Sequence, residues 1–314
     1  MNAPGRNCPL RYRYGAAAIA AAPAHEAETV YVVGGLYGNL FALDTIEALA
    51  AAEAAAVRLV FNGDFNWFNV DDRSFRIVNA RVLRHHALLG NVEAELAPYA
   101  DGAGCGCGYP DAVGEDTVAR SNRIHARLKA TAARHPDLLA RLSVLPMFAR
   151  YRVGDLRVGV VHGDAESLAG WRFAADAPDT PEERHWFASA CAEAGVALFA
   201  SSHTCLPALR LAPDIARASG LINNGAAGMP NFAGLRCGVI SRIATTPSPH
   251  APLYGLRIAG VHVDALAVPY DAAAWEAAFL ANWPAGSPAW QSYYRRIVAG
   301  PEWDVGRATR HLCP

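Results

Sequence analysis

The sequence lacks three features that would indicate a simple functional class. It has no excess charge, because 28 Lys and Arg residues stand against 29 Asp and Glu residues, a formal net charge of −1. Bulk charge therefore gives no indication of nucleic-acid or membrane binding. No stretch approaches the ~20 consecutive apolar residues that a membrane-spanning helix needs, and the chain contains no internal repeat or low-complexity linker.

The seven cysteines also lack the regular spacing of a disulfide framework or a zinc motif. Their number is odd, which favours free thiols, a reducing compartment and hence a cytoplasmic location. The segment Gly15 to Ala22, preceded by Arg11 and Arg13, resembles a signal peptide only weakly. Its apolar run is short and consists mostly of Ala, so we predict that it is not cleaved. The cysteines are Cys8, Cys105, Cys107, Cys191, Cys205, Cys237 and Cys313.

The chain does contain enough apolar residues for a large core, since 52% of its 314 residues are hydrophobic. In its first half, apolar runs that end in glycine alternate with Ala- and Leu-rich segments. The β-branched runs Thr29 to Gly34 and Arg58 to Asn62 predict buried strands, and Asn39 to Ala56 predicts the helix between them. This alternation predicts an α/β fold with parallel strands.

The second half is richer in strands and ends in helices. Residues 148 to 161 predict a hairpin, and strands are again expected after His203. We predict an irregular N-terminal arm over residues 1–28, a main domain over 29–270, and a helical extension over 271–314 that packs on it. Three segments are expected to shape a pocket: the loop Ala100 to Gly114, the insert Phe65 to Phe68 and the C-terminal helices.

Four polar residues follow directly after predicted strands: Asp64, Asn91, His162 and His203. Parallel strands bring such residues to one edge of a sheet, where α/β folds bind ligands. Each residue alone has an ordinary explanation: a turn Asp, an Asn helix cap or a structural His. Together they offer a carboxylate, an amide oxygen and two imidazoles, a suitable set for Zn, Mn, Fe or Ni.

The segments around these residues resemble the motifs of the calcineurin-like metallophosphoesterase superfamily. That family reads D-x-H-G-N, G-D, G-N-H-[DE], H-G and G-H-x-H along the chain. The resemblance implies a metallophosphoesterase-like two-sheet β-sandwich flanked by helices, in four layers α/β/β/α. The late segment Ile222 to Pro230 also resembles the family's N-P-G-S turn. The five matching segments are Gly34-Gly35-Leu36-Tyr37-Gly38-Asn39, Gly63-Asp64, Gly90-Asn91-Val92-Glu93, His162-Gly163-Asp164 and Ser202-His203-Thr204-Cys205.

The departures from the family pattern fall on one side of the site. Gly35 and Tyr37 stand where the first motif has Asp and His, Val92 replaces the catalytic His, and Cys205 replaces the last ligand His. The resemblance therefore implies that one metal half-site is lost and that about one divalent metal ion (Mn, Zn, Fe or Ni) binds per chain. Cys205 could still bind a soft metal as a thiolate, and Cys105 and Cys107 could help to rebuild a second position.

Without the catalytic His, other residues must supply proton transfer. Asp64, Glu93 and Tyr37 are the catalytic candidates, and Asp164 and Glu166 lie nearby in sequence. Glu93 is also consistent with an acidic residue in the first turn of a helix. Gly38 and Asn39 open a helix directly after a strand, so their backbone N–H groups are candidates for binding a phosphate.

Three functions remain open on this basis. The first is a metallophosphoesterase-type hydrolase that uses a single metal on a small phosphorylated substrate. The second is a catalytically silent relative that binds a phosphorylated ligand or a partner. The third is a metalloenzyme of different chemistry on the same scaffold, because a fold does not fix a function. The oligomeric state cannot be predicted from these residues.

Overall fold

The computed structural model describes residues 4–97, 102–212 and 219–310. The first residues of the loop predicted from Ala100 therefore lie outside the described part, as do the two ends of the chain. The strands are β1 Ala24–Glu26, β2 Thr29–Val33, β3 Val57–Asn62, β4 His86–Leu88, β5 Phe148–Val153, β6 Leu156–Val161, β7 Leu198–Ser201, β8 Pro207–Leu211, β9 Gly220–Asn224, β10 Cys237–Ala244, β11 Pro252–Ile258 and β12 Val261–Pro269.

The helices alternate with the strands in the first half and close the chain at its end. A short 3₁₀ helix at Leu10–Tyr12 precedes them. The α-helices are α1 Ala16–Ala21, α2 Leu40–Ala51, α3 Asp72–Val82, α4 Asn91–Ala94, α5 Glu115–Ala132, α6 Pro136–Leu142, α7 Pro181–Ala194, α8 Ala272–Asn282, α9 Pro288–Ala299 and α10 Val305–Ala308.

The strands form two six-stranded sheets, with the orders β11-β12-β10-β2-β3-β4 and β1-β5-β6-β7-β9-β8. Their facing sides share one apolar core, in which Val30 and Val60 of the first sheet meet Val158 and Leu198 of the second. Because side chains alternate along a strand, Tyr31 faces the opposite way, towards the helices.

Helices cover both outer faces of this sandwich. Apolar residues of α2, α3, α5, α8 and α9 pack on the first sheet, and α1 and α7 pack on the second. The layers are therefore α/β/β/α, and the predicted fold class is confirmed.

The parallel parts of both sheets end at the same rim of the sandwich. In the first sheet β2, β3 and β4 run parallel, and in the second β6, β7 and β9 do. The Asn62 side chain at the end of β3 donates a 2.7 Å hydrogen bond to the carbonyl of Val161 at the end of β6. This bond joins the two rims, so the residues that follow β3 and β6 lie next to one another.

The structure differs from the prediction at the N-terminus. The arm contains α1 and the edge strand β1, which pairs with β5, and it buries Tyr12 and Ile19 completely or nearly so. Short Ala-rich helices carry little sequence signal, and α1 is stabilised by its packing on α7.

Two further elements differ in extent from the prediction. The Ile222 to Pro230 segment begins inside β9, because Asn223 and Ile222 pair with β7 and β8. Helix α2 ends at Ala51, earlier than the predicted Ala56. No helix in the described ranges has the length and apolar character to cross a membrane.

Candidate metal centre

The structure brings together the four residues that follow strand ends. The His162 Nε2 atom lies at their centre, 3.3 Å from Asp64 Oδ1, 3.2 Å from Asn91 Oδ1 and 3.2 Å from His203 Nδ1. Four ligand atoms at about 2.1 Å from one Zn²⁺ in tetrahedral geometry lie about 3.4 Å apart. The three distances from His162 Nε2 therefore match those between ligands of a single ion, and the ligand atoms of Asp64, His162 and His203 all lie within 4.8 Å of one another.

The hydrogen bonds behind the cluster fix which atoms face its centre. A carbonyl oxygen can only accept, so His162 Nδ1, 2.8 Å from the Asn62 carbonyl, must carry the proton of a neutral ring. By the same argument His203 donates through Nε2 to the Cys107 carbonyl at 3.0 Å. Lone pairs of His162 Nε2 and His203 Nδ1 are left facing each other. Metal-binding histidines are commonly oriented in this way, by a hydrogen bond from the other ring nitrogen.

Asn91 is oriented in the same way. Its Nδ2 atom donates to the carbonyl of Cys105 at 2.9 Å, which turns Oδ1 towards His162. The cluster thus consists of acceptors only, one of them a carboxylate. Buried acceptors at such distances need a cation between them, either a metal ion or a proton.

The pKa shifts of the three titratable residues are consistent with a cation at the centre of the cluster. Burial acts to lower the pKa of the His162 imidazole, but Asp64, the Asn62 carbonyl and Glu93 together raise it above its usual value. The His203 pKa is lowered to about 3 by burial and by the charge of His162. Burial acts to raise the Asp64 pKa, yet its histidine neighbours lower it overall. Asp64 is therefore a carboxylate that attracts a positive charge to this point.

The backbone at Asp64 is shaped so that its carboxylate reaches the cluster. Asp64 has a φ of 54°, a left-handed conformation that Asp tolerates better than most residues. Its Oδ1 accepts the Val92 N–H at 3.1 Å. A Cβ atom at Gly90 would lie 2.2 Å from that same oxygen, so only glycine leaves room for it.

Glu93 supports this loop from beneath. Its two carboxylate oxygens accept the backbone N–H groups of Asp64 at 2.7 Å and of Asn66 at 3.1 Å. Burial and the Asp64 charge raise the pKa of Glu93 to about 7. Glu93 does not line the cleft in front of the cluster. Glu93 therefore holds the Asp64 loop in place through hydrogen bonds to its backbone.

Gly38 and Asn39 do not present free N–H groups. The Gly38 N–H donates to the Phe65 carbonyl at 2.8 Å and the Asn39 N–H donates to the Leu36 carbonyl at 3.0 Å. The Asn39 side chain caps α2 by accepting the Ala42 N–H. Both residues are buried and their N–H groups are engaged, so the start of α2 offers no free N–H pair to an anion.

Asp164 and Glu166 lie away from the cluster. The Asp164 carboxylate accepts the backbone N–H groups of Glu166 and Ser167 and closes a turn. Glu166 accepts the Trp186 indole N–H at 2.7 Å. Neither carboxylate lines the cleft, so neither is placed to move protons there.

The cleft in front of the cluster is small and largely aromatic. Its volume is about 50 Å³, room for an ion and a few water molecules or for the reacting end of a ligand. Trp67, Cys107, Tyr109 and Tyr293 come from the three segments that the sequence analysis expected to shape a pocket. Trp171 was not identified there, because an isolated Trp in a loop gives no signal of its own. The lining residues are Tyr37, Asp64, Trp67, Asn91, Val92, Cys107, Tyr109, Trp171, His203, Cys205 and Tyr293.

The fold and this site can be compared with known proteins. A crystal structure of a metallophosphoesterase from Sphaerobacter thermophilus superposes with a TM-score of 0.55 at 17% identity, over 87% of this chain and 100% of that one. A hypothetical protein from Pyrococcus horikoshii OT3 superposes with a TM-score of 0.56 at 16% identity, over 88% of this chain and 99% of the other. The protein has the metallophosphoesterase fold. No protein-family model matches the chain, and no curated protein matches its sequence.

Within this metallophosphoesterase fold, Tyr37 and Cys205 both line the cleft. The Tyr37 hydroxyl lies 2.9 Å from Cys205 Sγ. Burial raises the pKa of both groups. Cys205 raises the pKa of Tyr37 further, whereas Arg296 and Tyr37 act to lower the pKa of Cys205 without cancelling the effect of burial. Both are therefore neutral and poor ligands. Cys205 does not belong to the cluster of close ligand atoms found among the described residues, which consists of Asp64, His162 and His203.

The loop cysteines act through their backbone. Cys105 and Cys107 are buried, and their carbonyls hold Asn91 and His203 as described above. Cys107 Sγ lies 3.5 Å from Asn91 Nδ2, on the side of the amide away from the cluster. Burial raises the pKa of the Cys107 thiol well above its usual value, so this sulfur is also neutral.

Proposed function

We propose that the protein binds one divalent metal ion through Asp64, Asn91, His162 and His203 and hydrolyses a small phosphate ester with its help. The observation that carries this proposal is the convergence of four buried acceptor atoms whose outer hydrogen bonds leave only lone pairs facing inwards. When bound, such an ion supplies Lewis acidity and lowers the pKa of a coordinated water. The metallophosphoesterase fold supports the choice of a phosphate ester.

The chain's own residues have distinct tasks in this proposal. Asp64 supplies the only formal negative charge among the ligands, and Glu93 holds the loop that carries it. The Cys105 and Cys107 carbonyls orient Asn91 and His203. The aromatic wall restricts access of water to the cleft, which strengthens electrostatic interactions inside it.

A single ion is favoured over a pair. The other candidate ligands that line the cleft, Tyr37 and Cys205, are a protonated phenol and a protonated thiol rather than charged groups. Mn²⁺, Zn²⁺, Fe²⁺ and Ni²⁺ all accept the carboxylate, amide and imidazole donors present. The donor set does not select among them.

A second candidate function is ligand binding without turnover. The observation that favours it is Val92, whose side chain lines the cleft at the place where the family pattern has a proton-transferring His. An isopropyl group cannot donate a proton to a leaving group. In this case a phosphorylated ligand would bind beside the metal and remain intact.

Elemental analysis and a hydrolysis assay on the same preparations separate these possibilities. We expect about one metal per chain in the native protein and a sharp loss in His162→Ala, His203→Ala and Asp64→Asn. A panel of phosphomonoesters, phosphodiesters and nucleotides with each metal then tests turnover. Two tightly held ions, or none, would overturn the single-metal centre. Absence of turnover above the Asp64→Asn background, with a phosphorylated ligand still raising Tm, would establish the binding function instead.

A further inference from the structure

A second, larger cavity lies apart from the metal centre, on the outer side of the second sheet. Its volume is about 360 Å³, within the range of about 300–1,000 Å³ that is typical of small-molecule sites. It is enclosed by the segment 172–179, helix α7, the edge strand β8 and the residues that follow α10. No described residue lines both this cavity and the metal cleft, and the function proposed above does not use it.

Positive charge predominates among the described residues that line this cavity. Four arginines face two acidic residues, so the formal net charge of the lining is four minus two, or +2. A concave surface with an excess of one sign attracts ions of the opposite sign, because its low-dielectric walls focus the field. The charged residues are Arg172, Arg184, Arg210, Arg310, Asp179 and Glu183.

Both acidic residues of the lining are engaged by arginines. Arg172 binds Glu183 through Nε and Nη2, each at 3.0 Å from a carboxylate oxygen. Arg184 donates through Nε to Asp179 at 2.8 Å. Neither carboxylate forms an ion pair with Arg210 of strand β8, so the charge of Arg210 is not balanced by direct contact with the lining.

Arg210 keeps one guanidinium nitrogen for a ligand. Its Nη2 donates to the carbonyls of Ala174 at 2.7 Å and Ala175 at 2.8 Å, and its Nε is enclosed. Nη1 makes no hydrogen bond to a described residue and, unlike Nε, is not enclosed. Nη1 therefore offers two N–H groups and a positive charge at the cavity that Arg210 lines.

Arg310 lies beside Arg210. Its Nη2 donates at 3.3 Å to the Ala175 carbonyl, the acceptor that Arg210 also uses, so two like charges lie side by side. The pKa of Arg210 is lowered by burial and by Arg310, although Asp179 and Asp176 act to raise it. An oxyanion bound between the two guanidinium groups would offset this repulsion, and their planar N–H forks match the oxygens of such a group.

The rest of the cavity wall is apolar. Phe187 of α7 and Leu211 of β8 are half-buried and both line the cavity. Phe187 packs on the buried Phe173, with ring centroids 5.9 Å apart. The neighbouring Trp186 ring is covered by the Arg172 guanidinium at 3.6 Å, which fixes that side of the wall. The cavity thus combines a cationic side with a hydrocarbon surface.

We propose that this cavity binds a small organic anion whose charged group is held by Arg210 and Arg310. The apolar body of the ligand packs against Phe187 and Leu211. The charged group is an oxyanion, because the guanidinium groups present N–H donors, and the body is hydrocarbon or aromatic, because the facing wall is apolar. This site is independent of the metal centre and of the reaction there.

Calorimetric titration of the full chain with naphthalene-2-sulfonate tests the site. The matched probe is 2-naphthalenemethanol, which has the same ring system and no charge. We expect about one sulfonate to bind per chain and the alcohol to bind at least about tenfold more weakly. Arg210→Gln and Arg310→Gln should each weaken sulfonate binding about tenfold, because each removes a charge-assisted hydrogen bond.

Two arginines outside the cavity provide controls of equal charge change. Arg257 lies on the edge strand β11 and donates to the Gly260 carbonyl at 2.9 Å. Arg307 precedes Arg310 in the chain and stacks on the Trp303 ring at 4.2 Å. Neither lines the cavity, so Arg257→Gln and Arg307→Gln should leave sulfonate binding unchanged. Removal of metal with EDTA should also leave it unchanged.

The melting temperature of each variant separates loss of the site from loss of the fold. Weaker sulfonate binding in both cavity variants at unchanged Tm supports the site. If Arg210→Gln unfolds because the Ala174 and Ala175 carbonyls lose their donor, the exposed Arg310 decides through Arg310→Gln. The site is refuted if the native protein does not bind the sulfonate, if the alcohol binds equally well, if Arg310→Gln binds like the native protein, or if binding disappears with the metal.

Discussion

The ring of Tyr37 occupies the space into which a side chain at Gly35 would extend. A Cβ atom built on Gly35 would lie 2.9 Å from both Cζ and the hydroxyl oxygen of Tyr37. Both residues have a positive φ, 65° and 56° respectively. The two positions are therefore coupled: a larger residue at 35 needs a smaller or differently placed residue at 37.

Restoring the family's ligands at the three positions where this chain lacks them should recruit a second metal ion. The triple variant Gly35→Asp, Tyr37→His, Cys205→His removes the Tyr37 ring and supplies a carboxylate and two imidazoles. We expect elemental analysis to rise from about one to about two metals per chain. Hydrolysis of aryl phosphates should rise with it, because two ions clamp the attacking and leaving oxygens.

Gly35→Asp alone is the matched control for this experiment. With Tyr37 retained, the new side chain collides with the ring, and we expect a loss of about 1–3 kcal/mol in the free energy of unfolding without a second metal. An unchanged metal count in the triple variant would show that position 35 does not face the second site. Loss of a native activity in that variant would show that Tyr37 and Cys205 serve the present chemistry.

Gly90→Ala should abolish metal binding although it removes no ligand. The added Cβ would lie 2.2 Å from Asp64 Oδ1 and 2.5 Å from the Asp64 backbone nitrogen, so the carboxylate must move away from the histidines. Gly114→Ala is the control, because nothing lies within 4 Å of its Cβ position. Full metal content in Gly90→Ala would mean that Asp64 is not held where the structure places it.

Glu93→Gln should lower stability and preserve the metal. One carboxylate oxygen that accepts the N–H of Asp64 or Asn66 becomes an amide NH₂, which leaves a buried donor unsatisfied at a cost of about 1–3 kcal/mol. Denaturant titration and elemental analysis measure the two effects. If the rate of hydrolysis falls by orders of magnitude at full metal content, Glu93 moves protons and its role extends beyond holding the loop.

His125 should make the protein sensitive to mild acid. It is buried behind the cleft, with Nε2 3.0 Å from the Val92 carbonyl, and burial lowers its pKa to about 4. Since the folded pKa lies below the unfolded value of about 6.5, its contribution is fully present above pH 6.5 and is lost as the pH falls towards 4. Between pH 7 and pH 5 this corresponds to about 2 kcal/mol.

The variant His125→Gln isolates this contribution. Gln can still donate to the Val92 carbonyl but does not titrate, so the free energy of unfolding should fall less between pH 7 and pH 5 than in the native protein. Urea denaturation at both pH values gives the comparison. Equal losses in the two proteins would assign the acid sensitivity to other groups.

The strand pattern carried most of the fold prediction. β-Branched runs such as Thr29–Val33 and Val57–Asn62 are buried on both faces of their sheet. Their apolar residues are therefore continuous along the chain, and the strands can be recognised from the sequence. Elements stabilised mainly by contacts with distant segments could not be recognised from the sequence. Helix α1 is stabilised by packing on α7, and β9 by pairing with β7 and β8.

The sequence by itself determined that Asp64, Asn91, His162 and His203 follow strand ends, and parallel strands must bring such ends to one rim. Only the tertiary structure decided what surrounds them. The Glu93 carboxylate is committed to two backbone N–H groups, the N–H groups at Gly38 and Asn39 are already bonded, and Trp67 meets Tyr293 across more than two hundred residues of chain. Hydrogen bonds and ring contacts between remote segments depend on the position of the whole backbone. No local pattern of residues encodes them.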